Sequence, residues 1–124
     1  MSRIIYHSPR TNKGYLIDED AQRLLGYLYL YGSTHLNEIA DRLNYENGEE
    51  VVDTVDSKLC KNKAGLVTVR YTEQLDLNDK QVVEVSITGD GKEFVKNYKS
   101  EISTPFSVHT FIERMEEIED EIDQ

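Results

Sequence analysis

A chain of 124 residues is long enough for one domain with a modest core and one appendage. Hydrophobic residues make up 38% and charged residues 31%, the balance of a soluble globular protein, and no apolar run approaches the ~20 residues of a membrane-spanning helix. A formal net charge of −10 weighs against nucleic-acid binding by bulk electrostatics, because affinity for phosphates leans on Lys and Arg.

Three explanations of the acidity stand side by side: a solubilising surface set apart from a small basic face, a protein that does not bind nucleic acid, and a high-salt host. In the last case charges are screened within ~3 Å at molar ionic strength. A single cysteine, Cys60, excludes an internal disulfide framework and reads as a small, partly buried hydrophobe. The opening MSRIIYHSPR lacks the apolar core of a secretory signal, so the expected location is cytoplasmic.

Residues 1–17 read as a loosely ordered N-terminal arm carrying Arg3, His7, Arg10 and Lys13, with Pro9 and Gly14 as breakers. Ile4, Ile5 and Tyr6 are the residues in it able to form a short strand or pack on the domain. The cations are the ones able to touch a nucleic-acid backbone.

Asp18 to Tyr31 predicts the first helix. Asp18 is its cap, and Asp18, Glu19 and Asp20 suit the positive end of the helix dipole. Ala21, Leu24, Leu25 and Leu28 form the apolar stripe, and Tyr27, Tyr29, Leu30 and Tyr31 widen it, the pattern of a central helix touched on several sides. Gly32 stops it.

Gly32 to Leu59 reads as two short helices around a tight turn. Leu36, Ile39, Ala40 and Leu43 make one face of the first of the pair, with Thr34 as its cap. The turn is Asn44-Tyr45-Glu46-Asn47. The next helix opens on Asn47 with Glu50 three residues later, a capping box, and turns Val51, Val52, Val55 and Leu59 inward. Helix, four-residue turn and helix with a shared apolar side are a helix-turn-helix pattern. The run LNEIADRL here resembles the second helix of winged-helix DNA-binding regulators of the MarR- and PadR-like group.

After Lys61-Asn62-Lys63-Ala64 and the terminator Gly65, LVTVRY (66–71) and QVVEVSI (81–87) alternate as strands, with a turn at Asn78-Asp79. A hairpin directly after a helix-turn-helix occupies the place of a wing. VSITGDGKEFV resembles the exit from the wing into the following helix: Thr88 caps it, Asp90 sits in its first turn, and Gly91 permits close approach to the sheet. Gly91, Phe94, Val95, Tyr98 and Ile102 form one face, ended by Ser103-Thr104-Pro105. In the last segment Val108, Phe111, Met115, Ile118 and Ile122 repeat at spacings of 3, 4, 3 and 4, a heptad seam. About two heptads are too short for a helix alone in water, so it must lean on its own domain or on a second copy. The two-fold dimer is preferred.

The expectation is therefore an α+β chain: a winged helix-turn-helix of three helices and a two-stranded hairpin over 18–102, followed by a dimerisation helix over 103–124. The resemblance implies a homodimeric, sequence-specific regulator on a near-palindromic double-stranded DNA site, with the third helix in the major groove. The residues expected to meet DNA are Ser33, Thr34, Thr54, Ser57, Lys58, Lys61, Lys63, Arg70 and Lys80. At the end of the third helix Lys58 and Lys61 stand where that group usually carries leucines. The alternative is a winged helix used for protein contact, or as an acidic mimic of DNA.

Enzymatic activity is not expected. His7, His35 and His109 are scattered without ligand partners, Gly89-x-Gly91 is no phosphate loop, and no nucleophile motif surrounds any Ser, Thr or Tyr. No metal or cofactor is called for.

Overall fold

The computed structural model describes residues 4–43, 45, 48–55, 64–102 and 108–122, excepting a few side chains at Thr54 and toward both ends of the last helix. Among these residues, five helices and two antiparallel sheets form a small α+β fold.

Residues 4–17 are not a loose arm; residues 1–3, with Arg3, lie outside the described residues. Ile4–His7 (β1) and Gly14–Ile17 (β2) form an antiparallel hairpin in the register Ile4↔Ile17 and Tyr6↔Tyr15. Strand periodicity sorts the side chains: Ile4 and Ile17 are buried, while Ile5 and Leu16 point outward. Polar bonds hold the loop. The Ser8 N–H donates to the Lys13 carbonyl and the Asn12 N–H to the Ser8 carbonyl, each at 3.0 Å, with Asn12 in the left-handed region at φ 57°. Two short strands bridged by a polar loop look like a disordered tail until the core that covers Ile4 and Ile17 is known.

Helix α1 (Glu19–Tyr31) is central, as its wide apolar stripe suggests. Ala21, Leu24, Leu25, Tyr27, Leu28 and Tyr29 are all buried on it. Asp18 caps it by accepting from the Ala21 N–H at 3.1 Å, and Gly32 ends it at φ 77° with its N–H on the Leu28 carbonyl.

Thr34–His35 forms a two-residue strand, β3, and Leu36–Arg42 the helix α2. Thr34 therefore does not cap α2. The capping position belongs to His35, which makes no side-chain cap bond, and Thr34 is paired with Val85 in the sheet. Helix α3 (Gly48–Thr54) packs against α2 through Val51, which is fully buried. A methyl group on Gly48 would sit 2.9 Å from Asn37 Oδ1, so the two helices meet closely there. Of the expected turn, Asn44, Glu46 and Asn47 lie outside the described residues, as does the expected end of this helix from 56 onward.

Strands β4 (Val67–Leu75) and β5 (Gln81–Ile87) make the long hairpin, and β3 joins it, giving the order β3-β5-β4. β4 runs four residues beyond the expected Tyr71, through an irregularity between Tyr71 and Leu75. The turn falls where expected, with Asp79 at φ 59°. Thr88 then caps α4 (Gly89–Asn97) by accepting from the Gly91 N–H at 3.0 Å. This helix stops at Asn97, short of the expected Ile102, yet Ile102 is buried through a turn in which its N–H bonds to the Tyr98 carbonyl.

Helix α5 (Val108–Ile122) corrects the seam expected to join two subunits. Phe111 and Met115 are 0% and 2% exposed within the single chain, with α5 lying on α1. They are spent on the chain's own core, where each buried side chain of this size contributes about 2 kcal/mol. Ile118 is half-buried, and the Val108 and Ile122 side chains lie outside the described residues.

Candidate nucleic-acid interface

Helices α2 and α3 and the turn of the long hairpin share one face. Between them lies a groove of about 380 Å³ lined by Leu36, Asn37, Gly48, Glu49, Val52 and Lys80. What brings the hairpin turn to α2 is a bracket of polar bonds around Asp76. One carboxylate oxygen, Oδ1, accepts from the backbone N–H of Asn78 (2.8 Å) and of Lys80 (3.0 Å), shaping the turn. The other, Oδ2, accepts from Asn37 Nδ2 at 3.2 Å and lies 3.1 Å from His35 Nε2, reaching across to the start of α2.

His35 is itself fastened to β5: the Val83 N–H donates to Nδ1 at 3.1 Å, which leaves Nε2 as the ring's donor to Asp76. The Lys80 N–H foremost, then His35, holds the Asp76 carboxyl down to about 2, against 3.8 for a free carboxyl. At 15% side-chain exposure, Asp76 is a fixed structural anion rather than a reactive one.

The candidate contact residues fare unequally. Lys80 is exposed at the hairpin turn and lines the groove. Ser33 is exposed, with its hydroxyl 2.6 Å from that of Ser86. Thr34 is withdrawn: it is 7% exposed and its hydroxyl donates to the Gly32 carbonyl at 3.0 Å, so it has no surface to offer a phosphate.

Arg70 is exposed, but it stands opposite Glu84 in the sheet register and donates to Glu84 Oε2 through Nε (3.1 Å) and Nη2. Thr54 closes α3, with its side chain outside the described residues, and Ser57, Lys58, Lys61 and Lys63 lie outside them altogether. The exposed side chains described on α3 are Glu49, Glu50 and Asp53.

No protein family, curated protein or solved structure matches this chain. The face must be read from its own chemistry.

His35 and Asn37 are the groups that sequence reading missed. The Asp76-x-Asn78-x-Lys80 spacing does carry the signal of a side-chain-capped turn. Nothing in the sequence links that turn to a histidine 41 residues earlier. Among the described residues no group of three or more His, Cys, Asp or Glu is placed to hold a metal ion, and no helix is long and apolar enough to cross a membrane.

Proposed function

We propose that the chain is a winged helix-turn-helix protein that binds double-stranded DNA as a homodimeric transcriptional regulator. The observation that carries this reading is the joint placement of α2, α3 and the hairpin turn around one groove, with β3 paired to β5 and Asp76 bracketing the turn to His35 and Asn37. A rigid hairpin beside an exposed helix matches the docking geometry in which a helix enters the major groove while a flanking element touches the backbone. Lys80 is the described cation best placed for a phosphate. Lys58, Lys61 and Lys63, just beyond the described part of α3, would supply further charge. The dimer would form around Ile118 on α5, since Phe111 and Met115 are already covered.

A second reading, a protein-contact module or acidic DNA mimic, draws on a specific observation: the exposed described side chains of α3 are carboxylates, and Arg70 is held by Glu84.

Fluorescence anisotropy with labelled duplex DNA separates the two. For the regulator, binding weakens as salt rises, and Lys80→Glu lowers affinity and reduces the salt slope by about one. Absence of binding at low ionic strength, together with capture of a basic protein surface, would establish the second reading instead.

A further inference from the structure

A cavity of about 280 Å³ opens between the N-terminal hairpin and α4, with Tyr6, Pro9, Asp90, Glu93, Phe94 and Tyr98 among its lining residues. It is built from aromatic rings and carboxylates. Phe94 is 2% exposed and serves as the hub. Tyr6 stands edge-on to it at 5.7 Å and 89°, and Tyr98 lies tilted at 5.0 Å and 41°. Both tyrosines are half-buried. Asp90 and Glu93 are three residues apart on α4, the spacing that puts two side chains on one side of a helix.

One of these carboxylates already holds a cation at the cavity's edge: Arg10, exposed on the hairpin loop, donates through Nε to Asp90 Oδ2 at 2.8 Å. Among the described lining residues there is no Lys or Arg: the carboxylates are Asp90 and Glu93, His7 is the one basic ring beside them, and the Arg10 guanidinium reaches Asp90 alone. The Tyr6 phenol registers that field. Burial foremost, then Asp90, pushes its ionisation up, opposed in part by the Ser8 hydrogen bond and the Arg10 charge, with Glu93 a smaller raising influence.

We propose that this cavity binds a small organic ammonium ion. The tyrosine rings supply apolar wall and cation–π attraction, and Glu93 and Asp90 supply the counter-charge. Its volume lies just under the ~300–1,000 Å³ of typical ligand pockets, which suits a small amine, and its charge repels phosphates and carboxylates. Arg10 acts as a tethered competitor, because an incoming cation and the guanidinium share Asp90. This inference is independent of the DNA-binding reading.

The test is an NMR titration of the isotope-labelled full chain with benzylammonium, and with benzyl alcohol as its uncharged counterpart. Benzylammonium is expected to give saturable shifts at Tyr6, Asp90, Glu93 and Tyr98, with benzyl alcohol binding about tenfold more weakly. Glu93→Gln, at an exposed position that leaves the core intact, weakens benzylammonium about threefold, and Arg10→Ala tightens it by releasing Asp90. Equal affinity for the alcohol, no saturable shift, or affinities unmoved by both substitutions would overturn the proposal.

Discussion

Gly91 is the most exposed test of how α4 is seated on the sheet. A methyl group added there would lie 2.2 Å from the Leu66 carbonyl oxygen and 2.6 Å from Ile87 Cγ1. The Leu66 carbonyl has little freedom to retreat, because it accepts the Thr88 N–H at 3.0 Å, and the Thr88 hydroxyl is anchored on the Gly65 carbonyl at 2.7 Å. Forcing a methyl against fixed backbone belongs at the upper end of the ~1–3 kcal/mol range for overpacking. Replacing a helical glycine returns up to about 1 kcal/mol through better propensity.

The net expectation for Gly91→Ala is a loss of about 2 kcal/mol, or a fall in Tm of ~6–8 °C for a domain of this size. Gly89, two residues earlier, has nothing within 4 Å of the equivalent position, so Gly89→Ala is expected to be neutral or slightly stabilising. Urea unfolding followed by circular dichroism measures both. If Gly91→Ala matched the parent protein to within about 0.5 kcal/mol, the close approach of α4 to Leu66 would be wrong.

Phe111→Ala empties a fully buried site and is expected to cost about 3–4 kcal/mol in the same assay; a loss under about 1 kcal/mol would show that Phe111 is not part of the chain's own core. Asp18→Ala removes the cap on the Ala21 N–H and is expected to cost about 1 kcal/mol in the same assay, whereas an unchanged midpoint would refute the capping role. Asp76 titrates near 2 when folded and at 3.8 when free, so its bonds contribute fully above about pH 4 and are lost as the pH falls toward 2. Asp76→Asn is therefore expected to flatten that part of the acid limb of stability, and an acid limb identical to the parent's would show that the bracket contributes nothing.

What could be read from the sequence was whatever is decided locally. Asp18 and Thr88 cap the helices they precede, Gly32 takes the positive φ that ends α1, and the hairpin turn falls at Asp79. Each needs only its neighbours within about four residues. The readings that failed depended on distant partners. Thr34 has the chemistry of a cap, but β5 claims it as a strand residue and the Gly32 carbonyl takes its hydroxyl. The 3-4 seam of α5 fits a coiled coil and an amphipathic helix on its own domain equally well, and the apolar surface of α1 decides for Phe111 and Met115. Arg70 is exposed on the hairpin, and what its neighbours in sequence do not announce is the β4–β5 register that puts Glu84 opposite it. The candidate groove itself was not legible: Lys80 could be named as a cation on the hairpin, but the Asp76 bracket that brings its turn to α2 joins residues about 40 positions apart.

The central claim, that the groove between α2, α3 and the hairpin turn faces duplex DNA, is tested most directly by selecting bound fragments from a pool of random duplexes at two salt concentrations. The account predicts enrichment of a near-palindromic sequence at low salt, with retention falling at high salt and lost first in Lys80→Glu. Failure to retain any fragment above background at low salt would contradict it.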